Sequence, residues 1–256
     1  FGASVVLVDR QGPGGSPLRH AMPMQALLAA AAHAHAMRKG SRFGIADVEP
    51  SIDFRALVRQ LHKVVAAATP PRSAERLTAL GVVVLREEAR FLDGRTIQAG
   101  DSLIRARHMT IATGCVPVLP AIAGLDEIGF LTPDTILSLA RRPGRLIVAG
   151  GGPYVLPFAQ AWRRLGAEVA VIMPDTALAG DDPEHAAIVL RALRAEGLEI
   201  HEHAQAIGTA RRGRTGVRVR FEDGAGQEQT IDGTHLLVIP DEAPAIDGLD
   251  LDRAGI

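Results

Sequence analysis

The stretch that most limits how this chain can fold is "RLIVAGGGPYVLPFAQAWRRLGAEVAVI". Leu146 to Ala149 reads as a buried strand, residues 150–152 are three consecutive glycines, and Val155 to Leu165 has helical spacing up to the cap at Gly166. Val169 to Ile172 is then a second strand. A strand, a tight turn, a helix and another strand make a βαβ unit, which requires a parallel sheet covered by helices. The pattern continues with a helix from Pro183 to Glu196 closed by Gly197, a strand from Leu198 to His201, a hairpin of residues 217–221 and 230–232 turning at Asp223-Gly224, and a last strand from His235 to Ile239. The first half follows the same logic. Val5 to Val8 is a strand and 11–16 a Gly/Pro loop, with helices expected at Met24 to Met37, Asp53 to Ala68 and Ser73 to Leu80. Val82 to Leu85 is a strand, with further strand-like pieces around 90–99 and 103–112 and a turn at Asp93-Gly94. A Pro-rich connection runs from Val116 to Gly124. The expected class is α/β with two Rossmann-like lobes.

A length of 256 residues suits two such lobes. With 28 basic against 29 acidic residues, the chain carries no basic footprint for nucleic acid or acidic lipid. Cys115 is the only cysteine, which excludes an intrachain disulfide and a thiolate metal cluster and fits a cytoplasmic protein. The longest apolar stretch, 26–37, is too short for the ~20 residues of a membrane helix, and no signal peptide is visible. The opening at Phe1, without an initiator Met and directly before a strand, is read as the cut end of a longer chain.

Glycines between a strand and a helix let backbone amides and the helix dipole approach a pyrophosphate. The full G-x-G-x-x-G fingerprint is incomplete here: Val155 stands at the third glycine, and the following strand ends in Met173-Pro174 instead of the acid that holds a ribose hydroxyl. The turn therefore either binds a nicotinamide cofactor or is kept for packing. Asp9 ends the first strand where a ribose-binding carboxylate belongs, or is a solvated strand-end acid. The pairs His33/His35 and His201/His203 lack a third ligand and are read as solvated histidines rather than a metal site.

Three runs carry a resemblance in order and spacing: "ASVVLVDRQGPGGSPLRHAMPMQALLAAA", "MTIATGCVPVLPAIAGLDE" and "FLTPDTILSLARRPGRLIVAGGGPYVLPFAQAWRRLGAEVAVI". They resemble the pyridine nucleotide-disulfide oxidoreductases, nearest the mercuric reductase and dihydrolipoamide dehydrogenase branch. The resemblance covers nearly all of the chain but about half of such an enzyme. It implies a flavoprotein with an FAD-binding lobe (1–122), an inserted NAD(P)-binding lobe (123–239) and a return to the FAD-binding lobe (240–256). It makes Asp9 the ligand of the FAD adenosine ribose, Gly14, Gly15 and Ser16 a loop at the FAD pyrophosphate, and Ala89 a backbone contact to adenine. Ala112, Thr113 and Gly114 would line FAD, with Cys115 packed beside the flavin, and Gly150 and Gly152 would face the pyrophosphate of NAD(P)H.

The sequence departs from the family where the chemistry sits. Pro17 replaces the first redox cysteine, the second is lost around Ala21 and Met22, and Gln25 stands for the family's lysine. Pro157 stands for the glutamate that pairs with that lysine, so both partners of one ion pair are gone. The family's second Ala-Thr-Gly-Arg crossover reads Ile239-Pro240-Asp241-Glu242-Ala243-Pro244. No catalytic residue is assigned. The resemblance implies an FAD-dependent oxidoreductase taking hydride from NAD(P)H and passing it to a small-molecule or quinone-like acceptor without a dithiol, or else a catalytically silent dinucleotide-binding relative. It also implies a homodimer built through a C-terminal domain.

Overall fold

The computed structural model describes residues 2–15 and 17–256. In chain order it shows β1 (Val5–Val8), a π-helical stretch (Pro17–Ala21) leading into α1 (Met22–Met37), α2 (Phe54–Ala68), α3 (Ala74–Ala79), β2 (Val82–Leu85), β3 (Ala89–Asp93), β4 (Thr96–Ala99), β5 (Ser102–Arg105), β6 (Cys115–Val118) and α4 (Pro133–Ile136). There follow β7 (Arg145–Gly150), α5 (Val155–Arg164), β8 (Glu168–Ile172), α6 (Pro183–Ala195), β9 (Leu198–His201), β10 (Gln205–Arg212), β11 (Gly216–Glu222), β12 (Glu228–Gly233), β13 (His235–Ile239) and β14 (Asp241–Pro244). These elements form an α/β fold. Among the described residues, no helix is long and apolar enough to cross a membrane.

The chain divides into two compact units, one of residues 1–21, 64–116 and 242–256, the other of 22–63 and 117–241. The helix α1 and the part of α2 up to Lys63 thus group with the second unit, whereas the sequence places both helices within a lobe ending at 122.

In the first unit, β1 and β2 pair in parallel from Val5↔Val82 to Val8↔Leu85. Parallel strands are normally covered on both faces, yet Val5 is 47%, Val6 39% and Val83 51% exposed. The strands β3, β4 and β5 form an antiparallel meander, and Phe91 N–H donates to the Leu249 carbonyl at 2.8 Å.

The second unit is built on a four-stranded parallel sheet in the order β13-β7-β8-β9. Counted from β7, that order is 4-1-2-3, so the connection reverses between β7 and β13. Alternation along the strands sends Leu146, Val148, Val169, Val171, Leu237 and Ile239 to one face, where α1, α5 and α6 bury them. The other face carries Ile147, Ala149, Ala170, Ile172, Leu236 and Val238 against Val217, Val219, Phe221 and Ile231 of the antiparallel sheet β10-β11-β12. Trp162 of α5 is buried and stacks on Phe54, with ring centroids 5.9 Å apart.

Three expectations are corrected. The strand expected over 103–112 stops at Arg105, because residues 106–114 have no strand to pair with and lie largely exposed. The expected Pro-rich connection contains β6, which pairs with β14. The second unit also has an additional strand, β10, whose polar sequence hides its pairing with β11.

Candidate dinucleotide-binding turns

In a doubly wound sheet, ligands sit beyond the carboxyl ends of the strands where the strand order reverses. Here that point lies between Gly150 at the end of β7 and Ile239 at the end of β13, which are register partners. The glycines divide the work. Gly150 adopts φ +142°, and a Cβ on it would collide with the Ile239 carbonyl, so it is a packing glycine. Gly152 adopts φ +80° with nothing within 4 Å of where its Cβ would be, so it borders open space.

The helix entered through this turn is open to an anion. Neither a capping side chain nor an acidic first-turn residue serves the start of α5. In contrast, Asp182 caps α6 by accepting from the amides of Glu184 and His185. Pro157 is tolerated in the first turn of α5 because amides there have no intrahelical partner.

Two features oppose a dinucleotide at this turn. Met173, where a ribose acid would stand, is buried, with its N–H donating to His201 and its carbonyl accepting from Ala204. Its side chain is no hydroxyl acceptor. The second feature was not assigned from sequence: a Cβ on Gly151 would lie 3.9 Å from Asp241 Oδ1 and 3.9 Å from Pro174 Cγ. The signal was present in the Ile239-Pro240-Asp241 departure, but its proximity to the glycines follows only from the β13–β7 register.

The other expected cofactor residues lie in the first unit. Asp9 Oδ1 accepts from the amides of Gln11 and Gly12, each at 3.0 Å, so the acid organises its own turn and is not merely solvated. Its second oxygen takes part in neither bond. Gly14 and Gly15 have φ +126° and +48°, and a Cβ on Gly14 would strike the Leu18 side chain. Ser16 lies outside the described residues. Ala89 opens β3 opposite Ala99. Ala112 and Thr113 are exposed, and Gly114, at φ +75°, has open space around it while its carbonyl accepts from Ala245 at 2.9 Å.

Cys115 is exposed. No group of His, Cys, Asp and Glu among the described residues could hold a metal ion. His33 and His203 are exposed, but His201 is not a solvated histidine: it bonds Glu199 at 2.9 Å and packs on Phe221 at 4.9 Å. Gln25 is exposed on α1. The perturbed carboxylates serve structure. Burial raises the Glu196 carboxyl, but two hydrogen bonds from Arg164, each 2.7 Å, and its charge outweigh this and hold it below the usual range. Burial likewise raises Glu199, which His201 and Arg145 bring down.

A family profile described as pyridine nucleotide-disulphide oxidoreductase matches residues 1–250. The chain belongs to this family. The mercuric reductase of Streptomyces lividans is 32% identical over all of this chain and 55% of its own length, and the dihydrolipoyl dehydrogenase of Pseudomonas aeruginosa is 32% identical over all of this chain and 56% of its own. The crystal structure of LpdA from Mycobacterium tuberculosis superposes with a TM-score of 0.82 at 25% identity, over 99% of this chain and 56% of that one. The chain therefore spans about half the length of the relatives it matches. Within the pyridine nucleotide-disulphide oxidoreductases it is a Rossmann-like α/β chain whose only cysteine is Cys115.

Proposed function

We propose that this chain forms the dinucleotide-binding part of an FAD-dependent oxidoreductase that takes hydride from NAD(P)H and has no dithiol relay. The observation that carries the reading is the Asp9 turn, in which one carboxylate oxygen is held by two backbone amides and the other remains for a ribose hydroxyl. On this reading FAD is held by Asp9, Gly14, Gly15, Ser16, Ala89, Ala112, Thr113 and Gly114, and NAD(P)H meets the turn of Gly150 and Gly152, which Gly150 packs against Ile239 and Gly152 leaves open. Residues 1–122 and 240–256 serve FAD, and residues 123–239 serve the nicotinamide cofactor. When bound, the flavin supplies the hydride-accepting centre. Without a cysteine pair, the acceptor must meet the flavin directly, which suits a quinone or another small electrophile and disfavours lipoamide and mercuric ion. The whole protein is proposed to be a cytoplasmic homodimer.

The test is the absorbance spectrum of the purified full-length protein. A bound flavin bleached by NADH or NADPH supports the reading, and a colourless protein refutes it. A second reading, a catalytically silent dinucleotide-binding relative, draws support from the buried Met173 and the joint replacement by Gln25 and Pro157. It predicts dinucleotide binding by calorimetry with no reduction of any acceptor.

A further inference from the structure

We propose that Asp241 is a built-in electrostatic determinant that weakens pyrophosphate binding at the second glycine turn. The inference rests on the reading of that turn as the nicotinamide cofactor's site. The parallel register sets Ile239 beside Gly150, so the chain leaving β13 passes the glycine turn at the point where the strand order reverses. Pro240 follows, and the next side chain is a carboxylate whose Oδ1 lies 3.9 Å from the Cβ position of Gly151. The Asp241 side chain is exposed and has neither a hydrogen bond nor an ion pair within the described residues, so no guanidinium or ammonium neutralises it.

Two opposed influences thus meet at one turn. The uncapped start of α5 and the open side of Gly152 favour an anion. The carboxylate of Asp241 repels the same anion across a few ångströms of partly solvated space, where like charges interact appreciably. The backbone fits a pyrophosphate and the charge opposes it. This separates the present turn from one that has only lost its ribose acid: the missing acid removes a favourable contact, whereas Asp241 adds an unfavourable one.

The experiment is calorimetric titration of NADH, ADP and adenosine into the full protein and into Asp241→Asn, with Glu242→Gln as control, since adjacent strand residues point to opposite faces. Asp241→Asn is expected to bind NADH and ADP about tenfold more tightly, a gain of ~1.4 kcal/mol. Adenosine, which has no phosphate, should gain nothing, and Glu242→Gln should match the wild type. Raising the salt should narrow the gap between Asp241→Asn and wild type, because exposed charges are screened. Equal NADH affinity in wild type and Asp241→Asn overturns the inference while leaving the site reading intact. Failure of both proteins to bind NADH or ADP overturns the site reading, and the inference with it. Circular dichroism checks that the variants fold, which an exposed side chain without partners should permit.

Discussion

Substituting the glycines of the second turn one at a time separates packing from ligand access. Gly150→Ala places a Cβ against the Ile239 carbonyl at a backbone conformation of φ +142°. The strain of such a conformation costs ~1–3 kcal/mol, and forcing β7 from β13 adds an overpacking cost of ~1–3 kcal/mol, so we expect a loss of about 3 kcal/mol or more. Gly152→Ala meets nothing within 4 Å. It pays only the left-handed penalty of ~1–2 kcal/mol, partly offset by a less flexible unfolded chain, worth ~0.4–1 kcal/mol. The assay is urea denaturation followed by the fluorescence of Trp162, the chain's single tryptophan, which sits on α5 in the same compact unit. With a slope of ~1–3 kcal/mol per molar urea, Gly150→Ala should lower the midpoint by about 1 M or more and Gly152→Ala by much less. Gly152→Ala should instead weaken NADH binding. Equal midpoint losses in the two variants would refute the division of roles, as would a Gly150→Ala midpoint indistinguishable from wild type.

Glu196 supplies a pH prediction. Its carboxyl is held below the ordinary 4.5 in the folded state, so its contribution to stability is complete above that value and is lost as the pH falls through the depressed one. The urea midpoint should therefore drop more steeply below pH 4.5 in wild type than in Glu196→Gln, and identical acid profiles would sink the assignment. Trp162 Nε1 is buried without a partner among the described residues. Phenylalanine forfeits about 50 Å² of buried area, or ~1 kcal/mol, but removes an unsatisfied donor costing ~1–3 kcal/mol. Trp162→Phe should thus leave the stability measured by circular dichroism unchanged or higher, while Trp162→Ala loses ~3–5 kcal/mol.

Elements whose residues pair or pack locally were legible in the sequence. Val82–Leu85, Leu198–His201 and His235–Ile239 match the bounds read from sequence; for His235–Ile239 the reason is that a parallel strand buried on both faces needs continuous hydrophobic residues, and Leu236 to Ile239 are all buried. The strand β10 was not legible because one side of "QAIGTARR" faces solvent and its bulge between Ala206 and Gly208 breaks the alternation. The alternation through Leu103 and Ile111 misled for the converse reason: a two-residue period forms a strand only where a neighbour accepts its hydrogen bonds. At the candidate sites, sequence located Asp9 and the glycines but could not divide Gly150 from Gly152, since that depends on how near Ile239 comes. Asp241 was visible as a departure and acquired a role only through strand register.

The exposed valines of the β1–β2 pair have a practical consequence. Among the described residues, β1 and β2 pair only with each other, so each offers an open ladder edge beside uncovered β-branched side chains, a combination that templates addition of further strands from other molecules. A preparation of these 256 residues alone is therefore prone to concentration-dependent clumping that has nothing to do with the second unit's sheet. Light scattering against dilution should accompany every titration, so that lost binding is not confused with lost monomer.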